Sequence, residues 1–138
     1  MTKHLQQPNL PVRVYFQDTD AGGVVYHASY VNFMERARTE WIRGFGFTNS
    51  GLIRDLGVMF VVRSLKLDYY KPAVLDDLLT VVTQLKEIGR SRVSLQQTVM
   101  RDEEKLVEGE IHLVCVSKDS FKPVSVPEVL REKWKEHL

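Results

Sequence analysis

The chain has few features that would set it apart from an ordinary globular protein. It holds 1 cysteine among 138 residues, and its formal net charge is +1. A single cysteine excludes an internal disulfide, and Cys115, flanked by Val114 and Val116, is expected to be a small buried side chain. The near balance of charge gives no reason to expect nucleic acid as a partner.

Long apolar runs and metal-ligand patterns are also missing. No segment is apolar for long enough to span a bilayer, and no charged-then-apolar signal peptide opens the chain, so we expect no membrane span and a cytoplasmic location. Asp18, Asp20 and His27 offer mixed ligands without a second histidine or a cysteine at a useful spacing. The same segment departs from a calcium loop at Gly22 and Ser29. The sequence therefore predicts neither a metal nor a cofactor.

The residues that are present suffice for one folded domain. Hydrophobic residues make up 43% of the chain and charged residues 27%, which is typical of globular proteins. We expect a single domain over residues 1–138, with residues 1–11, which are polar and contain two prolines, as a loose N-terminal arm.

Hydrophobic periodicity predicts the order of the elements. A first strand is predicted over 12–16, and a long helix ended by Gly44 and Gly46 follows from apolar residues at spacings of three and four: Tyr30, Phe33, Met34, Ala37, Trp41 and Phe45. A short helix over 49–56 ended by Gly57, strands over 59–70, 78–86, 92–101 and 106–117, and a terminal helix over 127–138 complete the prediction. This order lacks regular βαβ alternation. It predicts an α+β fold in which one long helix packs on an antiparallel sheet.

The segment YFQDTDAGGVVYHASYV, residues 15–31, carries the chemistry. It contains Asp18 and Asp20, a glycine pair, His27 and the predicted start of the long helix. The first turn of a helix leaves its N–H groups unpaired and carries partial positive charge. A carboxylate beside such groups indicates a hydrolase that polarises a carbonyl.

Structural roles compete with each functional role. Both carboxylates could instead form turns by accepting local N–H bonds. In an extended strand they would point to opposite sides, and the glycines and the helix start favour Asp20 as the functional one. At His27 the functional hypothesis depends on the backbone N–H, which can donate to a bound group, rather than on the side chain, which could be a cap or a surface group. Arg90 and Arg92 flank a turn, where they are either solvated or bind the phosphates of a large anionic substrate.

Two segments resemble the 4-hydroxybenzoyl-CoA thioesterase family, in particular its Tol-Pal-associated group of acyl-CoA thioesterases. They are residues 15–41, YFQDTDAGGVVYHASYV continued by NFMERARTEW, and VVRSLKLDYYKPAVLDD. The resemblance implies a hot-dog fold, with the long central helix wrapped by a curved antiparallel sheet. It also implies a homodimer with a continuous sheet and active sites at the interface, often doubled to a homotetramer. Asp20 matches the catalytic aspartate of the family, His27 the position whose N–H contacts the thioester oxygen, and Arg90 and Arg92 a region that contacts coenzyme A phosphates.

The leading hypothesis is therefore hydrolysis of an acyl-CoA thioester, with acyl carrier protein thioesters as further candidate substrates. Asp20 would attack the carbonyl or deprotonate a water, and the sequence does not choose between these routes. Val25 and Tyr26 are the expected substrate contacts beside His27. The alternatives are a binding module that holds acyl-CoA or acyl carrier protein without hydrolysis, and a hot-dog dehydratase or hydratase.

Overall fold

The computed structural model describes residues 9–138. Its helices are α1 (Ser29–Gly44), α2 (Asn49–Gly51) and α3 (Glu128–Lys135), and its strands are β1 (Leu10–Arg13), β2 (Val58–Tyr69), β3 (Leu78–Ile88), β4 (Arg92–Arg101) and β5 (Glu104–Ser117). The predicted strands 59–70, 78–86, 92–101 and 106–117 match β2 to β5 to within two residues at each end. The predicted order of a long helix followed by four long strands is confirmed.

All neighbouring strands of the sheet are antiparallel, and their order is β1-β3-β4-β5-β2. Strand β2 pairs with β5 over nearly its whole length, from Val58 opposite Ser117 to Tyr69 opposite Val107. Among the described residues no strand pairs with the other side of β2, which is therefore one edge of the sheet. The predicted antiparallel sheet is confirmed.

Helix α1 packs its apolar face against the sheet. Five side chains that recur every three or four residues along this face are buried: Tyr30, Phe33, Met34, Ala37 and Trp41. Burying a large apolar side chain contributes about 1.5–3 kcal/mol, so packing rather than intrinsic propensity holds the helix in place. The helix ends at Gly44, and Gly46 turns the chain back at a φ of 96°, as the glycine signals predicted.

The N-terminal strand differs from its prediction. Strand β1 begins at Leu10 and pairs with β3, so Leu10 and Pro11 belong to the sheet rather than to a loose arm. The strand ends at Arg13, and a 3-10 turn follows over Phe16–Asp18. The turn forms because the Asp18 carboxylate accepts the Tyr15 backbone N–H at 2.8 Å. The alternation of apolar and polar residues does not reveal this local hydrogen bond. Residues 1–8 of the predicted arm lie outside the described part of the chain.

The two shorter helices cover one end of the core. Helix α2 continues as a π-helical turn over Leu52–Leu56 and ends at Gly57, whose φ is 67°, so the predicted helix 49–56 is confirmed. Helix α3 is shorter than predicted but buries Trp134, whose ring stacks on Trp41 at a centroid distance of 5.3 Å. Trp41 therefore packs in the core.

One buried polar network lies between α1 and the centre of the sheet. The Gln97 side chain on β4 is fully buried and accepts a hydrogen bond from the Arg38 guanidinium at 3.0 Å. Its amide group donates to the Met34 carbonyl and to the Thr83 hydroxyl. Desolvation lowers the pKa of Arg38, because burial disfavours the charged form. Gln97 thus satisfies the polar groups that the helix brings into the core.

Cys115 lies inside the sheet. Its side chain is fully buried, and desolvation raises the pKa of its thiol to about 11. This placement agrees with the predicted role as a small buried side chain.

Substituting Gln97 tests the buried network. Gln97→Leu removes the acceptor of Arg38 and leaves the Met34 carbonyl without its amide donor, so we expect a loss of about 2–4 kcal/mol in the free energy of unfolding. Urea denaturation at one fixed protein concentration measures this loss. Gln96→Leu is the matched control, because Gln96 lies on the opposite face of β4 and bonds the part-buried Glu108; it should cost less than about 1 kcal/mol. Equal losses from the two variants would contradict the assigned role of Gln97.

The thiol of Cys115 should be unreactive in the folded protein. A pKa near 11 leaves roughly one thiolate in a thousand at pH 8, and the fold also blocks access to the sulfur. We expect an aromatic disulfide reagent to leave the native chain unmodified while labelling it fully in urea. Rapid labelling of the native chain would show that this end of β5 opens readily.

Candidate active site

The leading end of α1 opens onto a small cleft at the end of β2. The cleft has a volume of about 290 Å³ and is lined by Val25, His27, Tyr30, Tyr69, Tyr70, Lys71 and Pro72. It therefore brings the predicted residues Val25 and His27 together with three tyrosines. Asp20 and Tyr26 are exposed and are not among the residues that line it.

Backbone hydrogen bonds hold the segment that leads into α1. Tyr26 donates its N–H to the Asp18 carbonyl at 2.8 Å, and Val25 donates to the Ala73 carbonyl at 2.9 Å. Thr19 faces Val25 in an isolated antiparallel bridge. The segment is thus a tight loop fixed both to itself and to the β2–β3 connection, which places the start of α1 beside the cleft.

Asp20 lies in the turn at the tip of this loop. One carboxylate oxygen, Oδ1, accepts the Gly22 N–H at 2.7 Å, and the Gly23 N–H donates to the Asp20 carbonyl at 3.1 Å. Gly23 has a φ of 85°, and a Cβ on Gly22 would lie 3.2 Å from Oδ1. The two glycines therefore let the carboxylate take this position. Within the described chain, Oδ2 has no hydrogen-bond partner.

Asp18 holds the other turn of the loop. Its carboxylate accepts the Tyr15 N–H, and its backbone carbonyl accepts the N–H of Tyr26. Both aspartates thus accept local N–H bonds, as the turn-forming interpretation predicts. The two carboxylates do not lie on opposite faces of a strand, because β1 ends at Arg13 and the chain turns at Phe16–Asp18.

Two backbone donors are unpaired where α1 begins. Ser29 donates its N–H to the Tyr26 carbonyl at 2.8 Å, and Val31 donates to the Ala28 carbonyl at 3.1 Å. Within residues 9–138, no group accepts a hydrogen bond from the backbone N–H of His27 or of Ala28. Both residues are exposed, and the positive end of the helix favours negative charge beside these two N–H groups.

Two tyrosines that the sequence analysis did not single out as hydrogen-bonding groups support this helix start. The Tyr69 hydroxyl donates to the His27 carbonyl at 2.9 Å, and the Tyr30 hydroxyl accepts the Ala73 N–H at 3.0 Å. Desolvation raises the pKa of both hydroxyls, which keeps them protonated. The only sequence signal for Tyr69 is its position at the end of a long strand, just before Lys71 and Pro72.

A charged network fixes the corner of the cleft. The Arg101 guanidinium donates to the Pro72 carbonyl at 3.3 Å and to the Asp77 carboxylate at 2.7 Å. It also pairs with Glu104, which in turn pairs with Lys71. Burial alone would raise the pKa of Asp77, but the bonds from the Val74 N–H and from Arg101 lower it overall.

Arg90 and Arg92 lie far from this cleft in the same chain. Arg92 pairs with Val114 on β5, whereas Tyr69 pairs with Val107, seven residues along that strand. At the usual strand rise this is about 23 Å. The Arg90 carbonyl accepts a hydrogen bond from Arg131 of α3, which ties the β3–β4 turn to that helix. One chain alone therefore does not bring these arginines to the leading end of α1.

A larger groove runs between β1 and the outer face of α1. Its volume is about 570 Å³, and its walls include Arg13, Asp18, Glu35 and Arg36. It contains no unpaired helix-start N–H, so we place the candidate site in the smaller cleft. In the described part of the chain no three His, Cys, Asp or Glu side chains are grouped to hold a metal ion. None of the helices of residues 9–138 is long and apolar enough to cross a bilayer.

Comparison with known proteins identifies the family. The Thioesterase-like superfamily matches residues 14–134. The chain is 43% identical to "Acyl-CoA thioesterase YbgC" of Haemophilus influenzae, with 89% of this chain and 90% of that protein covered. It is 46% identical to "Acyl-CoA thioester hydrolase YbgC" of Escherichia coli O6:H1, with coverage of 91% and 94%.

A solved structure shows the same architecture. The probable thioesterase from Bartonella henselae superposes with a TM-score of 0.83 at 34% identity, over 87% of this chain and 98% of that one. The resemblance seen in the sequence is thereby confirmed. The chain belongs to the thioesterase-like superfamily, and its long helix on a curled antiparallel sheet is the hot-dog fold.

Proposed function

We propose that the chain hydrolyses acyl-CoA thioesters, with Asp20 as the catalytic carboxylate and the His27 backbone N–H polarising the thioester carbonyl. The observation that carries the proposal is the pair of unpaired N–H groups at the leading end of α1, beside a cleft and just after an anchored carboxylate. The relatives named acyl-CoA thioesterase and acyl-CoA thioester hydrolase support this class of substrate. Acyl carrier protein thioesters present the same reacting group and are included as alternative substrates.

The backbone donors act on the charge that forms during the reaction. When a nucleophile adds to the thioester carbon, negative charge develops on the carbonyl oxygen. The fold holds the His27 N–H and the positive end of α1 in fixed positions, so they stabilise this charge without reorganisation. One such donor stabilises the transition state by about 3 kcal/mol in comparable sites.

Asp20 supplies the attack on the carbonyl by one of two routes. Its free oxygen, Oδ2, either attacks the carbon and expels the coenzyme A thiolate, leaving an anhydride that water hydrolyses, or removes a proton from an attacking water. In both routes the products are a carboxylic acid and coenzyme A. The bond from Gly22 to Oδ1 fixes the carboxylate while leaving the second oxygen available.

Asp20 is exposed in one chain alone, and the proposal includes a second copy of the chain that completes the site. The edge strand β2 supports pairing between copies. It is 12 residues long, and it exposes Val61, Val62 and Leu65 together with a row of unpaired backbone groups. Natural sheets seldom leave such an edge uncovered. Antiparallel pairing of two β2 strands gives a homodimer with a continuous sheet, and association of two dimers would give a homotetramer.

This dimer also accounts for the distant arginines. Pairing centred on the middle of β2, near Ser64, sets Val61 of one copy opposite Leu67 of the other. Since Val61 and Arg92 share a row of the sheet through Val114, the second copy's Arg90 and Arg92 come to the Tyr69 end of the strand. In the proposal, each site takes its helix start from one chain and its phosphate-binding arginines from the other.

Asp20→Asn is the direct test of the catalytic carboxylate. Asparagine retains the oxygen that accepts the Gly22 N–H, so the loop should persist, but the side chain can no longer act as a base or an efficient nucleophile. We expect kcat to fall roughly a hundredfold or more, measured as thiol release across acyl-CoA chain lengths. Asp18→Asn, which similarly retains an oxygen for the Tyr15 N–H, is the matched control and should lose far less.

Near-normal turnover of Asp20→Asn would remove Asp20 from the mechanism. Equal losses from Asp18→Asn and Asp20→Asn would contradict the separate roles of the two carboxylates. Tight binding of acyl-CoA by the unaltered protein without any thiol release would instead identify a binding module.

The arginines should act on the nucleotide end of the substrate. Arg90→Ala/Arg92→Ala removes two cations that bind phosphate, so KM for acyl-CoA should rise about tenfold or more. The KM for the corresponding acyl-pantetheine, which lacks the nucleotide, should stay unchanged.

Mixed dimers test whether the arginines come from the other chain. Co-expression of Asp20→Asn subunits with Arg90→Ala/Arg92→Ala subunits creates one site with an intact Asp20 and intact arginines if the two sets come from different chains. Purified mixed dimers should then hydrolyse acyl-CoA at about half the unaltered kcat with unaltered KM. A KM that stays raised would place the arginines and Asp20 of one site in the same chain.

A further inference from the structure

The hydroxyl of Tyr69 fixes one particular peptide group at the start of α1. It donates to the His27 carbonyl at 2.9 Å. Inside a regular α-helix that carbonyl would accept the N–H of Val31, but Val31 donates to the Ala28 carbonyl instead. The His27 carbonyl is thus left to a side chain that comes from the far end of β2.

The N–H that shares a peptide group with the His27 carbonyl belongs to Ala28. In a trans peptide the C=O and N–H groups point in opposite directions, and no peptide bond of the described residues is cis. A bond to the carbonyl therefore orients the Ala28 N–H away from Tyr69. It also polarises the peptide, since hydrogen bonds in a chain strengthen one another.

We propose that Tyr69 is a positioning residue that orients the His27–Ala28 peptide so that the Ala28 N–H becomes a second donor to the thioester oxygen, beside the His27 N–H. This inference deepens the proposed function and rests on it. Tyr69 does not touch the reacting atoms in this arrangement; it acts through the peptide that does.

The surroundings of Tyr69 keep its hydroxyl in place. Its ring packs edge-on against Tyr30 at a centroid distance of 5.6 Å, and the Tyr30 hydroxyl is fixed by the Ala73 N–H. Its backbone belongs to the last pair of the β2–β5 ladder, opposite Val107. The hydroxyl is therefore supported by the sheet, by the β2–β3 connection and by the first buried residue of α1.

Tyr69→Phe removes the hydroxyl and keeps the ring. The bond from Tyr69 to the His27 carbonyl stabilises mainly the transition state, in which charge develops on the thioester oxygen. We therefore expect kcat to fall about five- to twentyfold while KM stays unchanged. Tyr15→Phe is the matched control, because the Tyr15 hydroxyl is exposed and forms no hydrogen bond within residues 9–138; its kcat should not change. A kcat for Tyr69→Phe equal to that of the unaltered protein would overturn the inference, even though the protein still released thiol.

A spectroscopic measurement separates positioning from a loss of packing. The probe is the acyl-CoA with the highest kcat/KM in a chain-length panel, labelled with ¹³C at its carbonyl and bound to the Asp20→Asn variant. Two backbone donors should lower its carbonyl stretching frequency relative to water. Adding Tyr69→Phe should return part of that shift without changing affinity. An unchanged frequency would overturn the inference.

A change in the backbone itself tests whether the Ala28 N–H is the second donor. It also provides this test if Tyr69→Phe fails to fold. Replacing Ala28 by its α-hydroxy analogue in the full chain converts the His27–Ala28 amide to an ester, which removes the N–H and also weakens the His27 carbonyl as a hydrogen-bond acceptor. Loss of a donor of this kind should lower kcat about a hundredfold, and Tyr69→Phe should add little in that background. Full activity of the ester protein would exclude the Ala28 N–H as a donor. Failure of the unaltered protein to hydrolyse any thioester would instead contradict the proposed function.

Discussion

The packing of α1 across the curled sheet is the constraint on which the rest of the molecule depends. The helix buries an apolar face along much of its length, and the Arg38–Gln97 bond holds its middle against the centre of the sheet. Once that contact is set, the first turn of the helix lies at the end of β2. The unpaired N–H groups, the tyrosines and the cleft follow from this placement, because each belongs to an element that meets the helix there. A core contact thus decides where the polar chemistry is located.

The candidate site is built mainly from backbone groups, and side chains serve to place them. Tyr26 and Val25 tie the loop to Asp18 and Ala73, the glycine turn holds one oxygen of Asp20, and the hydroxyl of Tyr69 holds a peptide of the helix start. Such an arrangement favours charge that appears during a reaction over charge that is already present. It also explains why the side chain of His27 needs no hydrogen-bond partner for the proposed mechanism, since its contribution is its N–H.

Most of the fold could be predicted because its signals are periodic and strong. The apolar residues of α1 and the alternation in β4 depend on burial, which the sequence displays directly. The first strand, predicted over 12–16, was wrong at both ends. It begins earlier because Leu10 and Pro11 pair with β3, and it ends at Arg13 because the Asp18 carboxylate accepts the Tyr15 N–H in a turn. Within the site, Val25 and His27 could be placed from the motif and the helix start. Tyr69 could not, because its contact with His27 joins residues 42 positions apart, and no local pattern encodes that meeting.

The buried position of the chain's single sulfhydryl has a consequence for an enzyme of the proposed kind. Each turnover would release a free thiol, and oxidation of that product yields a coenzyme A disulfide able to exchange with protein thiolates. Cys115 offers almost no thiolate and no path to its sulfur, because β-sheet neighbours enclose it. An enzyme of this kind would therefore be shielded from covalent capture by the oxidised form of its own product. Under oxidative stress, which converts the thiols of other proteins to mixed disulfides with coenzyme A, this protein should stay unmodified.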